Sequence, residues 1–423
     1  MRKIAVIGAG ITGVTTAYAL LNRGFDVTVF DRNRYSAMET SFANGGQLSA
    51  SNAEVWNSWA TVFKGLKWMF RRDAPLLVNP KPSLHKFGWM AEFIANIPHY
   101  KRNTITTTQL AIAAREHLKS YAAREGFSFD IEERGILHIY KNASDFAHAR
   151  SVNTLLGQGG LERDEVSGDE VKRIEPALTG DFLGGFYTKS DFTGDIHQYT
   201  TELAAACTRH GVRFVYGADV ETLNAGGATH QVSWHSDGHA QKAEFDGLVV
   251  CAGVHSRQFA SQLGDRVNIY PVKGYSITAN LNDAQSQAAA PTVSILDDAA
   301  KIVASRLGDT RFRIAGTAEF NGYNRDIRAD RIKPLADWCQ GLFPKVSTEH
   351  CVPWAGLRPM MPNMLPKVGA GQRPGVFYNS GHGHLGWTLS AITAEMAADA
   401  VVAQNDTRAR AVNGALPATL KPA

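Results

Sequence analysis

A chain of 423 residues is too long for one ordinary hydrophobic core and suits two interwoven domains with room for a large buried cavity. With 44% apolar and 20% charged residues it has the composition of a soluble globular protein, and a net charge of +4 is too small to support a nucleic-acid partner. The four cysteines are scattered without a CxxC pair, which excludes a disulfide scaffold and argues against a zinc or iron–sulfur centre.

The first elements are the most legible. Residues 3–7 read as a buried strand, Gly8-Ala9-Gly10-Ile11-Thr12-Gly13 as a glycine loop, and 14–22 as a helix. A second strand, 26–30, runs into Asp31-Arg32, with Asp31 eighteen residues after Gly13. Strand, glycine loop, helix and a second strand ending in an acid form the complete context of a dinucleotide-binding unit. In it, Gly8 makes the tight turn, Gly10 admits a pyrophosphate, Gly13 lets helix and strand close, and Asp31 receives ribose hydroxyls. The helix N-terminus offers its unpaired N–H groups to the phosphates. Glycines interrupt the apolar start and no small-residue cleavage site precedes Asp31, so a secretory leader is not expected.

Residues 39–47, including Thr40, Ser41, Asn44, Gly45, Gly46 and Gln47, are too rich in hydrogen-bonding groups for a plain connector. Such a loop suits FAD, whose ribityl and pyrophosphate need donors from a second segment. Next, 56–72 combines aromatic residues with a basic end, fitting either a peripheral membrane contact or a lid over a substrate cavity. No apolar run is long enough to span a bilayer.

Residues 105–125 predict a long helix stopped by Gly126, 129–140 a hairpin around Glu133-Arg134-Gly135, and Ser167-Gly168-Asp169-Glu170 a capping box. Strand, helix and strand follow at 184–189, 198–209 and 212–216. Residues 245–253 read as a buried strand ending in the small residues Ala252 and Gly253, a second close approach of backbone to the cofactor. From 267 to about 316 the chain is strand-like, with strands at 268–279, 301–305 and 311–316, and it returns through a helix at 332–342 to Gly381-His382-Gly383-His384-Leu385-Gly386-Trp387-Thr388 and a helix at 388–402. That helix N-terminus suits negative charge on a reduced flavin. The His382/His384 pair lacks a carboxylate or cysteine at ligand spacing, so no metal is expected.

The expected fold is α/β: a Rossmann-like FAD-binding domain with an inserted α+β substrate domain built on an antiparallel sheet. The FAD domain takes 1–84, 197–265 and 355–423, the substrate domain 266–354, and 85–196 is divided between them, its helix with the former and its strands with the latter.

Six runs in this order, GAGITG at 8–13, ETSFANGGQ at 39–47, SDFTGDIH at 190–197, PVKGYS at 271–276, GLRPMMPN at 356–363 and GHGHLGWT at 381–388, resemble the glycine and D-amino acid oxidase family of FAD-dependent enzymes. The likeness covers nearly the whole chain and is strongest to the small subunits of bacterial D-amino acid dehydrogenases. It implies oxidative deamination: a hydride leaves the α-carbon of a D-amino acid for the flavin, and the imine is hydrolysed to a 2-oxo acid and ammonia. Arg358 resembles the family's carboxylate-binding arginine, Tyr275 a second substrate contact through hydroxyl or ring, and Val220 a contact of the cofactor. His384, where members usually carry threonine, is a substrate contact, a base or a backbone tether, and His197 lies in a loop that approaches the active site or serves structure alone. Electrons pass to a quinone or a redox partner protein, on the cytoplasmic side and peripheral to a bacterial inner membrane. Oxidation of D-proline-type imino acids, an oxygen-using oxidase, a nicotinamide enzyme and a flavin-binding subunit without its own catalysis are the competing readings.

Overall fold

The computed structural model describes residues 2–68, 75–227 and 229–414. Two sheets organise the chain. The first has six strands in the order Lys367–Ala370, Val376–Ser380, Gly247–Val250, Lys3–Ile7, Asp26–Phe30 and Arg213–Val215, all parallel except the first pair. Its central strands are buried beyond their first residue because both faces are covered: one core joins Val6, Val29 and Val249 to Val14, Tyr18, Leu118 and Ala391 of helices, and another joins Ile7, Phe30 and Val250 to Leu223, Val232 and Trp234. The helices are Ile11–Leu21, Tyr100–Glu125 and Gly386–Gly414, packed on one another. Parallel strands end at one edge, so Gly8, Asp31 and Cys251 leave the sheet side by side.

The second sheet has nine strands. Eight follow the order Val352–Met360, Tyr270–Asn280, Arg311–Phe320, Ile302–Leu307, Ser294–Asp297, Ile136–Tyr140, Gly184–Thr188 and Asp164–Ser167, and Leu76–Val78 pairs in parallel with Arg311–Phe320. It is antiparallel apart from that pair and the pair Ser294–Asp297 with Ile136–Tyr140. Helix Ala329–Leu342 packs against Tyr270–Asn280 and Arg311–Phe320.

The 39–47 loop is clamped between the sheets. Ser41 Oγ accepts from Ile11 N at 3.0 Å beside the glycine turn, while Ser276, Ser305 and Arg313 of the nine-stranded sheet donate to the carbonyls of Ala43, Gly45 and Asn44 at 2.8, 2.8 and 3.2 Å. The passage is narrow: a Cβ on Gly45 would lie 2.4 Å from Val303 Cγ2.

Several expectations change. The hairpin over 129–140 does not form; Ile136–Tyr140 pairs instead with Gly184–Thr188 and Ser294–Asp297, because its five buried residues need a neighbour on each side. The long helix begins earlier, at Tyr100. Strand Val352–Met360 lies across the division expected at 354/355 and pairs throughout with the substrate-side strand Tyr270–Asn280. Within 56–72 there is a helix, Trp59–Trp68; Met69–Arg72 lie outside the described residues. The helices Leu84–Ala95 and Ala143–Gln158 and the three-stranded sheet of Asp219–Gly226, Thr229–Ser236 and His239–Phe245 were not foreseen. The capping box stands as read, Ser167 Oγ accepting from Glu170 N and the Glu170 carboxylate from Ser167 N.

Candidate functional site

One cavity of about 840 Å³ runs between the two sheets, towards the upper end of the roughly 300–1,000 Å³ usual for ligand sites. Its walls gather residues from across the chain. Gly8, Gly10, Ile11, Thr12, Asp31, Arg32, Thr40, Ser41, Asn44, Gly45, Gly46, Gln47, Val220, Ala252, Gly253, Tyr275, Arg358 and the run Gly383 to Thr388 all line it. Among the expected site residues, Ala9 and Gly13 do not, and both have work behind the wall. Ala9 N donates to Asp31 Oδ2 at 2.7 Å, and a Cβ on Gly13 would lie 1.8 Å from Gly8 O, so only glycine lets the helix meet the strand there. Gly8 adopts φ +108°. Asp31 is positioned by that bond and by Asn33, whose N and Nδ2 donate to Oδ1 at 2.8 and 3.0 Å; burial raises its pKa. Arg32 is tied to Glu39 at 2.7 Å and Arg325 to the same carboxylate at 2.6 Å, so the rim near Asp31 is an ion-pair network around a missed acid, Glu39.

Another part of the wall is built on strand Val352–Met360. Thr40 donates to Leu357 O at 2.9 Å, and Met360 forms a bridge with His382, so the cofactor loop and the C-terminal glycine turn both dock on this strand. Gly381 and Gly383 take left-handed conformations, φ +82° and +61°, over Met361 and Met360. Between these elements Arg358 projects to the cavity wall. Its Nη1 donates to Thr317 O at 2.9 Å, and the guanidinium lies so close to Gly274 that a Cβ there would meet it at 2.2 Å. Among the described residues no carboxylate pairs with it, and burial alone brings its pKa to about 10, leaving it charged at neutral pH. A desolvated guanidinium fork open to a cavity is chemically able to receive a carboxylate.

His384 stacks on Trp56, ring centroids 4.7 Å apart, and its Nε2 lies 3.2 Å from Asn52 O. A carbonyl can only accept, so in that pair Nε2 carries the proton and Nδ1 of the neutral ring is left with its lone pair. Burial, with Arg358 adding to it, lowers the pKa to about 4, and the ring is neutral at physiological pH. His382 is buried, its pKa about 3, and Nε2 bonds Thr393 Oγ1 at 3.0 Å; its part is structural. His197 does not line the cavity and sits edge-on to Phe42 and Tyr35, so the structural option holds.

Tyr275 and Lys273 share a face, as their spacing requires, but both are buried against a partner the sequence concealed. Glu319 accepts from Tyr275 OH at 2.6 Å and lies 3.4 Å from Lys273 Nζ. The Tyr275 hydroxyl is therefore committed, and the ring is what remains to face a ligand. Also unforeseen was Asp191, fully buried: its Oδ1 accepts from Ala50 N at 2.9 Å and its Oδ2 from Ser51 N at 3.1 Å, and it pairs with Arg115. It holds the turn whose Asn52 carbonyl orients His384.

The residues present fit FAD. Gln47 Oε1, His255 Nε2, Thr317 Oγ1, His384 Nδ1 and Trp387 Nε1 are each buried along this cavity with no hydrogen-bond partner among the described residues. Buried polar atoms are nearly always satisfied, so a polar ligand is the missing partner. The glycine turn, Asp31, Val220, Ala252 and the run Gly383 to Thr388 all line the cavity.

A family profile described as FAD dependent oxidoreductase matches residues 3–400. The chain belongs to that family. The flavoprotein is 62% identical over 401 residues to "D-amino acid dehydrogenase 3" of Mesorhizobium japonicum, covering 95% of this chain and 97% of that one. It is 38% identical over 407 residues to a D-amino acid dehydrogenase of Dechloromonas aromatica, covering 94% and 96%. Among solved structures, glycine oxidase from Geobacillus kaustophilus shares the fold with a TM-score of 0.72 at 18% identity, covering 95% of each chain. The cofactor of this chain is FAD, and the six-stranded sheet, parallel but for one edge pair, is with its glycine turn the FAD-binding half of this α/β fold.

Proposed function

We propose that this flavoprotein oxidises D-amino acids at the α-carbon, releasing an imine that hydrolyses to a 2-oxo acid and ammonia. The observation that carries the reading is Arg358, charged, desolvated and without an acidic partner among the described residues, at the end of the cavity where Gly383 to Thr388 lie. Bound FAD supplies the acceptor for the hydride. The chain's own task is orientation: the Arg358 fork receives the substrate carboxylate, and the Nδ1 lone pair of His384 accepts an N–H of the amine. A neutral histidine with a pKa of about 4 holds the amine without competing for its charge. The Tyr275 ring bounds the pocket beneath. The D configuration is supported by the names of the relatives above 35% identity over nearly the whole chain. Arg358 and His384 stand on this chain, so a role as the small subunit of a larger assembly would leave the chemistry here.

Anaerobic bleaching of the purified protein's flavin absorbance by a panel of D- and L-amino acids, with D-proline, glycine and sarcosine, tests this. Bleaching by D-amino acids and not by their L enantiomers is expected. A flavin that no amine bleaches would overturn the assignment, and bleaching by D-proline alone would restrict it to cyclic imino acids.

We infer further that the electrons leave to a quinone reached at a membrane surface. Among the described residues no helix is long and apolar enough to cross a membrane. Helix Trp59–Trp68 presents Trp59 and Phe63, 55% and 64% exposed, while its Ala60, Thr61 and Lys64 line the cavity. An aromatic surface on the cavity wall suits a lipid-soluble acceptor. Purified protein is expected to co-sediment with anionic lipid vesicles and to lose most of that binding on Trp59→Ser with Phe63→Ser; wild-type protein recovered wholly in the supernatant refutes the surface.

A further inference from the structure

Thr317 joins a strained backbone to two features already met at the site, its unpartnered hydroxyl and its carbonyl beneath Arg358. It takes a left-handed backbone conformation, φ +60°, inside strand Arg311–Phe320, where a β-branched side chain is strongly disfavoured. The position faces the register shift between Lys273 and Tyr275 on the neighbouring strand, between the paired residues Gly316 and Glu319. Its hydroxyl, on a residue only 6% exposed, has no hydrogen-bond partner among the described residues, and the residue lines the cavity. Third, its carbonyl, turned out of the ladder by the same distortion, accepts from Arg358 Nη1 at 2.9 Å.

Backbone strain of this kind persists where the surroundings enforce it, and it concentrates at binding sites. Glycine or asparagine would relieve the strain. Threonine offers instead a hydroxyl rigidly aimed by its stiff χ1. We propose that Thr317 is a substrate-binding residue: its carbonyl sets the plane of the Arg358 guanidinium, and its hydroxyl donates a third hydrogen bond to the carboxylate held by that fork. The inference rests on the reading of Arg358 as the carboxylate receptor. It makes the arginine and the threonine one unit, with the irregularity in the sheet as the device that brings them together.

The test uses the FAD-loaded protein and propionate, which is D-alanine without its amine and so binds without reacting. Propionate binding, read from the perturbation of flavin absorbance, and steady-state kinetics with D-alanine and an artificial dye are compared for wild type, Thr317→Val, Thr317→Ser and Arg358→Lys. Valine keeps the branching and the strain and removes only the hydroxyl. Its propionate Kd and D-alanine KM are expected to rise about tenfold, the worth of one hydrogen bond to a charged group, with kcat little changed. Serine is expected to stay close to wild type, because it restores the hydroxyl. Should the valine protein lose its flavin on purification, Thr317→Ala takes its place with the same expectation. Wild-type propionate affinity in the valine or alanine protein, with Arg358→Lys weakened, overturns the proposal and leaves the arginine assignment standing. Wild-type affinity in Arg358→Lys removes both.

Discussion

Replacing Arg358 by lysine or alanine is expected to lower kcat/KM for the amino acid by roughly 30- to 5,000-fold, the equivalent of about 2–5 kcal/mol for truncating one partner of a buried charged pair. Most of the loss is expected in KM, because the fork acts on the carboxylate and not on the bond that breaks. Lysine fares little better than alanine, since an ammonium is a point charge and loses the two parallel bonds of the planar guanidinium. The fold is expected to tolerate the change. Arg358 neutralises no acid among the described residues and its burial opposes its charge, so no buried charge is orphaned when it goes and the Thr317 carbonyl alone loses a donor. Steady-state kinetics with D-alanine, beside thermal unfolding of the same samples, checks this. A KM within threefold of wild type would return Arg358 to a structural part.

The opposite signature is expected of Asp191. This carboxylate accepts from the backbone of Ala50 and Ser51 and from Ser49 Oγ, and pairs with Arg115 on helix Tyr100–Glu125. Asp191→Ala leaves three donors unmet and a buried guanidinium without its counter-charge, a change that typically costs about 3–5 kcal/mol. The turn it holds carries Asn52 O, the acceptor that sets the His384 tautomer, and Ser49 and Asn52 line the cavity. Loss of stability and loss of flavin are thus expected together. Urea unfolding of the FAD-loaded protein, followed by flavin fluorescence, is expected to move to clearly lower urea for Asp191→Ala. Pairing Asp191→Asn with Arg115→Met should recover part of the loss by removing the orphaned charge. An unchanged midpoint would mean that the turn is held by its own backbone.

The contrast between these residues explains what was legible. Arg358 was singled out because the run GLRPMMPN at 356–363 resembles the family's carboxylate-binding segment, and the structure places it on the cavity wall. Asp191 was not, although the run 190–197 was noticed, because its partners are 76 and about 140 residues away. Strand alternation puts Lys273 and Tyr275 on one face, yet alternation says nothing of Glu319 on the neighbouring strand. For the same reason the Tyr275 hydroxyl was offered to the substrate when it is bound to a carboxylate at 2.6 Å.

What the sequence by itself determined is whatever local sterics decide. Gly8 and Gly13 announce a turn that no side chain fits, Asp31 closes the second strand, Gly126 stops a helix with φ +70°, and Ser167 with Glu170 opens another. Each depends on residues within a few positions of one another, so pattern alone reveals it. The tertiary structure decided the rest. It alone sets the neutral state of His384, since that depends on burial and on Asn52, 332 positions away. It alone puts Thr317 into a left-handed conformation, since two adjoining strands must disagree in register before the backbone is forced there. Protonation and strain are properties of an environment, and in this protein that environment is assembled only when the two sheets close on the cavity between them.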